Sequence, residues 1–552
     1  MYDPGNARWV SNRVDVANRL VNENTETIPG WVDALRPVAE PLSVPLIAIF
    51  RSEKRGESER NLAAYALAEY FGDQPGVLLE LLMDATETQF GSLYRRAVEQ
   101  VDQIAPLLEV ELGRKPQRVA AGNQPTEMDN NAWDRFYKRQ ANAAVALIRM
   151  GRLEKSWPKL KHSSDPSLRT YLVHRLGPLG FEPGTALARL AQESDVSIRR
   201  ALILSLGEYG EGRLATTERV AWMTKLIDLY RQEPDPGIHG AADWLLRLWG
   251  QETQVEAIDK ELAKLPLPTL RTGQGEASPQ EGDRRWFVNR QGQTMTVIPG
   301  PVEFEMEDDS RVPGHTKHRE RIGRSFAIAT KELTVEQFQR FQKENPFAGL
   351  DENQPSLVAT CPRNFVSWCD AASYCNWLSK QEGIPKDQWC YAPNEKGEFA
   401  NGMKAMSDAQ VRTGYRLPTE AEWEYSCRAG AATGFSFGEP WVLLANYGWF
   451  ADNSHSRTWP VGRLKPNDLG LFDLYGNVWE WCQDEYNDAP EDKNISINTL
   501  ELYVRVDEKV PRLLRGGSFV YLYSLGRSVS RSASAPVDHA IGHGFRPART
   551  YR

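Results

Sequence analysis

The sequence predicts a multidomain chain in two parts: an all-α stack of helix pairs over residues 1–263 and an α+β domain over residues 285–552, joined by a linker at 264–284. Three observations carry that reading. Helical segments that open on Asp and close on Gly recur through the first half, whereas short β-rich runs alternate with a few capped helices in the second. Between them, KLPLPTLRTGQGEASPQEGDRR loses all apolar periodicity and fills with Pro, Gly, Ser and charge, as an exposed connector does. At 552 residues the chain is also longer than one ordinary core can serve.

In the first half, DPSLRTYLVHRLGPLG from Asp165, DVSIRRALILSLGEYG from Asp195 and DPGIHGAADWLLRLWG from Asp235 align with one another. Asp starts a helix because its carboxylate accepts from the free N–H groups of the first turn, and Gly stops one because it adopts the left-handed cap without strain. Between those ends, Leu168, Leu172 and Leu176, like Ile198, Leu202 and Leu206, form one apolar stripe. NLAAYALAEYFGDQP and QANAAVALIRMGRLE read as more degenerate copies. Such a unit cannot cover its own apolar face, so the copies must stack. The pattern resembles HEAT-type repeats across about Pro37 to Leu262, which implies a curved solenoid serving either as a docking scaffold for a protein partner or as a spacer. His174 and His239 fall inside repeat helices without neighbours at ligand spacing and read as structural.

A net charge of −8 gives no electrostatic reason to approach nucleic acid or anionic lipid, so neither partner is expected. No run reaches the roughly 20 apolar residues that span a bilayer, and MYDPGNARWVSNRVDVANRL lacks a basic-then-apolar leader, so a cytoplasmic location is expected. Because the chain opens in helical sequence, it also reads as a fragment with further domains upstream. All six cysteines lie in the second half, at 361, 369, 375, 390, 427 and 482. Most sit inside apolar patterns such as VSWCDAASYCNWL, and buried free thiols are expected.

In the second half, RSFAIATKELTVEQFQRF reads as a strand entering a helix with Thr334 as N-cap and Glu336 in its first turn. A second helix lies in NFVSWCDAASYCNWLSKQEG, and a third starts at the N-cap Thr419. Trp423, Trp479 and Trp481 alternate with Glu422, Glu424 and Glu480, so the rings are free to pack while the carboxylates meet cations or backbone donors. In GNVWEW the period of two puts Val478 and Glu480 on one side of a strand and Trp479 and Trp481 on the other.

The strings YRLPTEAEWEYSCRAG, GLFDLYGNVWEWCQDEY, RLLRGGSF and GHGFRPAR, in that order, resemble the hallmarks of the formylglycine-generating-enzyme (sulfatase-modifying factor) superfamily, which implies a C-type lectin fold. The resemblance implies a structural Ca²⁺ site at Asp473, Gly476, Val478 and Glu480, a set of hard oxygen ligands, and a second, poorly matched one between Asn446 and Asn453. The oxidases of that family hold copper with two cysteines shortly after the GGS motif; here those places fall on Tyr521 and on Gly526 or Tyr523, and no cysteine follows Cys482. The histidine spacing of the related iron-dependent synthases is also missing, so neither copper nor iron, and no catalysis, is expected.

The tail from Arg515 to Arg552 contains no Lys, Glu, Gln, Met or Trp. That alphabet is what adenine-directed randomisation of AAC codons leaves, and the tail resembles those of proteins diversified by retroelements, which carry the same fold and close on a fixed sequence like GFRPAR. On that resemblance Arg515–Phe519, Arg527, Arg531, Pro536 and Gly544–Arg546 are scaffold. The variable, ligand-binding positions of the segment 515–546 are then Val520, Tyr521, Leu522, Tyr523, Ser530, Ser532, Ala533, Ser534, Asp538, His539, Ala540, Ile541 and His543. Tyrosines among small residues suit a binding surface, since Tyr offers contact area at low rotamer cost. The function expected is a non-catalytic binding protein for an unidentified protein or other macromolecule. The alternatives are the sensor part of a bacterial kinase-linked protein, a metal-dependent oxidase, and an ordinary diverged tail.

Overall fold

The computed structural model describes residues 6, 8–116, 127–210, 214, 216–268, 283–307, 317–345, 358–486, 503–522 and 527–551. They form two units, Met1–His162 with Ser167–Ala215, and Ser163–Pro166 with Thr216–Arg552. No described helix is long and apolar enough to cross a membrane.

The first unit is helical throughout. The helix Glu57–Phe71 packs on Ala39–Arg51 and Glu87–Val98, and the long helix Glu127–Arg149 packs on Pro75–Asp84, Val101–Leu112 and Ser167–Arg175. One side chain closes a helix end: Asn142 Nδ2 donates to the carbonyls of Leu82, Met83 and Ala85 at 3.0–3.1 Å while its Oδ1 accepts from Arg175 Nε at 2.9 Å. Carbonyls at a helix end lack the i+4 amide that would satisfy them within the helix, and a buried end needs another donor; here, among the described residues, only Leu82 also accepts a backbone bond, a long one of 3.4 Å from the Ala85 amide. The Asp starts behave as expected at Asp195, whose Oδ1 accepts from the Ser197 and Ile198 amides, and at Asp235, which accepts from the Ile238 amide at 2.9 Å with Pro236 behind it.

The second unit begins earlier than the linker in the sequence, because helices Thr216–Gln232, Pro236–Leu248 and Glu252–Leu262 pack with the β-rich part. His239 is stacked between Tyr230 (4.3 Å) and Trp286 (3.6 Å), and Arg285 pairs with Asp235 at 3.0 Å. A side chain at Gly240 would meet the Gly470 Cα at 2.7 Å, so backbone touches backbone there. Of the linker expected at 264–284, residues 269–282 lie outside the described set.

Four strands frame the core: β1 (Trp286–Val288), β2 (Thr294–Ile298), β5 (Phe326–Ala329) and the C-terminal β14 (Ala548–Thr550), joined by β8 (Tyr415–Arg416) in the order β1-β2-β5-β14-β8. A second sheet runs β12 (Arg531–Ser534), β11 (Arg512–Arg515), β9 (Trp479–Glu485), β13 (His543–Gly544); β3 (Val302–Glu307) pairs with β4 (Lys317–Ile322), and a small sheet runs β10 (Tyr503–Arg505), β7 (Lys404–Met406), β6 (Tyr391–Ala392). The three expected helices are Val335–Glu344, Trp368–Gln381 and Glu420–Arg428, capped by Thr334, Ser367 and Thr419 in reciprocal capping boxes.

The period-two reading of β9 holds, with both faces buried. Trp479 and Trp481 enter the core that holds Trp368, Tyr374 and Phe545, whereas Glu480 turns toward Trp423 and Arg546. The three motif carboxylates meet arginines: Glu422 binds Arg416 and Arg324, Glu424 binds Arg428 and Arg515, and Glu480 binds Arg546.

Candidate functional site

At one end of β9, two loops of the tail meet. The Trp479 amide donates to the Gly542 carbonyl at 2.7 Å, and its ring meets Tyr521 edge-on at 5.9 Å, so residues 521 and 542 flank one tryptophan. Around it Val520, Tyr521, Leu522 and Ile541 are 43–58% exposed. Neighbouring chain holds the loops from behind. The Ala451 amide donates to the Tyr521 carbonyl at 2.9 Å, Ser454 Oγ to the Phe519 carbonyl at 2.7 Å and Asn364 Nδ2 to the Ile541 carbonyl at 2.8 Å. Anchored backbone under exposed side chains is the arrangement that tolerates a change of side chain.

The other expected variable positions are not all at this place. Ser532, Ala533 and Ser534 are half-buried on β12, at the opposite edge of the sheet from His543 on β13. Ser530 is only 2% exposed, because the backbone there is drawn inward: its carbonyl accepts from buried Arg515 Nη1 at 3.2 Å, so its side chain is not available to a ligand in this fold. His543 is half-buried against Trp481 at 5.1 Å, and desolvation pushes its imidazole down to about 4. Ala540 is half-buried, and Tyr523 and Gly526 lie outside the described residues.

Asp538 and His539 form a second exposed corner on the connection from β12 to β13. Asp538 Oδ2 accepts from Ser534 Oγ at 2.9 Å and from the Ala535 amide. His539 Nε2 lies 2.8 Å from Asp370 Oδ2, and that bond holds its imidazole above the usual histidine range.

The residues expected to hold calcium do not fit a cation. Both Glu480 oxygens are taken by Arg546, at 2.6 Å each, and Trp423 Nε1 adds a third bond at 2.8 Å. Asp473 Oδ2 accepts from the Gly462 amide at 2.7 Å while its buried Oδ1 has no hydrogen-bond partner among the described residues, a side chain at Gly476 would run into the Trp449 carbonyl, and the Val478 amide donates to Glu332. Among the described residues no group of three or more His, Cys, Asp or Glu is placed to hold a metal. In the second segment Asn453 spends both amide atoms on Phe450 N and Gly448 O.

The six thiols are free and buried, as expected. Desolvation holds each above the ordinary cysteine range, with Cys369 pushed up to about 12 and Cys390 and Cys427 to about 11, so none is a thiolate near neutral pH. At the expected oxidase positions stands exposed Tyr521, and the buried Ser518 Oγ nearby has no hydrogen-bond partner among the described residues.

Sequence reasoning missed the fixed flank of this surface. Trp449 and Trp459 stack at 4.5 Å, Arg457 lies over Trp459 at 4.2 Å, and between them His455 and Ser456 hold positive φ of 56°. His455 is the left-handed cap of the short helix Ala451–Ser454, whose last residue reaches the Phe519 carbonyl, and no glycine in the sequence announces that turn.

The fold and these motifs define a formylglycine-generating-enzyme-like domain of C-type-lectin type behind an all-helical unit. The chain belongs to the sulfatase-modifying factor family through its C-terminal half: residues 284–551 match the sulfatase-modifying factor enzyme 1-like domain. It is 32% identical over 323 residues to the formylglycine-generating enzyme of Thermomonospora curvata, covering 53% of this chain and 94% of that one. It is 32% identical over 187 residues to the chaperone protein LppX of Paenibacillus barcinonensis, covering 30% of this chain and spanning only 64% of that protein. Among solved structures, the Treponema denticola variable protein 1 aligns at 27% identity and a TM-score of 0.37, covering 47% of this chain and 95% of that one.

Proposed function

We propose that the C-terminal domain is a non-catalytic binding module whose tail displays a retroelement-diversified surface to a macromolecular ligand, with the helical unit as a scaffold for a protein partner. One observation carries the reading. Where the family's oxidases keep reactive cysteines, this chain sets exposed Tyr521 among exposed Val520, Leu522 and Ile541, while all its thiols are buried and protonated. Contiguous exposed apolar side chains over an anchored backbone mark interaction surfaces more often than chemistry. The restricted alphabet of the tail supports diversification independently of the fold.

Sequencing the flanking DNA tests the proposal. A reverse-transcriptase frame with a near-copy of the 515–546 coding segment, differing only at template adenines, is the expected result. An unaccompanied gene, or oxygen-consuming turnover by the copper-loaded protein, would overturn the diversified and the non-catalytic parts respectively.

A further inference from the structure

A cavity of about 1090 Å³ lies within the second unit, between the helix Glu252–Leu262, the β1–β2 turn, the end of β5 and the helix Val335–Glu344. It shares no lining residue with the tail surface, and its size is ample for a small molecule.

Its wall is charged and unbalanced. Six basic side chains line it: Arg247, Lys260, Lys264, Arg290, Lys331 and Arg340. Four acidic residues share the wall, and three of them have partners. Glu336 is held by Arg340 at 2.5 Å. Glu332 accepts from Asn477 Nδ2 and the Val478 amide, and desolvation keeps its carboxyl well above the ordinary range. Asp259 accepts the Tyr230 hydroxyl and is pushed up to about 6 by burial. Glu256 remains.

Arg247 and Lys331 are half-buried and both pair with Asp243, with Asp259 close enough to act on each; burial and the neighbouring Arg247 hold the Lys331 ammonium below the ordinary lysine range, and the remaining N–H groups of the two side chains are the donors of this part of the wall. Sharing Asp243 also fixes both side chains, which lowers the entropy lost when they engage a ligand. Lys260, Lys264 and Arg290 are exposed; among the described residues Lys260 and Lys264 form no ion pair, and Arg290 is met only by Glu382, whose carboxylate accepts the Arg290 backbone amide at 2.8 Å. Gln291, Thr294 and Thr330 are polar residues of the same wall.

We propose that this cavity binds a small polyanion bearing phosphate or carboxylate groups, met by Lys260, Lys264 and Arg290 on the exposed side and by Arg247 and Lys331 within. Cations in a recess, where water screens less than on an open face, attract an anion more strongly than the same charges scattered.

Isothermal titration calorimetry on the full chain tests this, with inorganic pyrophosphate and citrate as probes and sodium chloride as the ionic-strength control. Saturable binding of one or both is expected, weakened at least about tenfold in Lys260→Ala/Arg290→Ala and unchanged in Leu522→Ser. Pyrophosphate alone assigns a phosphate ligand, and citrate alone a carboxylate. The replaced side chains are exposed, so melting without anion should match the wild type. No saturable heat with either probe, or undiminished binding by the double variant, would overturn the proposal.

Discussion

Arg546 lays its guanidinium against Glu480 so that Nε and Nη2 each reach one carboxylate oxygen at 2.6 Å, both side chains fully buried. The same guanidinium donates to the carbonyls of Ala329, Thr330 and Phe472, so one residue ties β9 to β5 and to the loop before β9. Removing one member leaves the other charge buried and unpaired. Arg546→Met should therefore destabilise the protein by about 3–5 kcal/mol, and Arg546→Met/Glu480→Leu by less, as read from urea denaturation. Because the arginine satisfies Glu480, millimolar calcium should leave the wild-type melting temperature where EDTA leaves it; a calcium-dependent rise would contradict the arrangement.

Asp473 gives a pH dependence of definite sign. Burial pushes its carboxyl up to about 6 from the ordinary 3.8, so the folded state binds the proton more tightly than the unfolded chain. Its contribution is therefore most favourable below about pH 4 and is lost as pH rises through about 6. Asp473→Asn keeps an oxygen for the Gly462 amide and tolerates the residue's φ of 58°. The variant should gain about 1–3 kcal/mol at pH 7.5 and nothing near pH 4.

His539 should titrate above the ordinary 6.5 because Asp370 stabilises its charged form. The attraction is complete below that ordinary value and disappears as pH rises through the folded one. In NMR titration, Asp370→Asn should move the His539 midpoint down. An unshifted midpoint would mean the pair does not persist in solution.

The buried thiols should be silent. Ellman's reagent should label none of the six cysteines in the native protein and all six in denaturant, since each is buried and held in its thiol form.

Gly240 tests the seating of the helix Pro236–Leu248. A Cβ there would lie 2.7 Å from the Gly470 Cα, a backbone atom that cannot swing aside. Gly240→Ala should cost about 1–3 kcal/mol in chemical denaturation, against the usual small gain of Ala within a helix.

Much of this molecule is local and therefore readable. Asp195, Asp235, Thr334 and Thr419 cap helices because each needs only neighbours three residues away. The alternation in GNVWEW is a property of extended chain, and the loss of sulfur after Cys482 is visible in the letters. The sequence thus determined the two-part fold, the buried thiols and a tail of restricted alphabet. Long-range contact decided the rest. Arg546 reached Glu480 across 66 positions and bound the carboxylate that the family resemblance assigned to calcium, Ser530 was drawn under by Arg515, and three repeat-like helices joined the β-rich unit, with His239, Gly240 and Asp243 in contact with it. A charged or small residue shows its type in the sequence, but its partner is chosen by packing, where desolvation makes each buried group take whichever opposite charge or close surface the fold brings nearest.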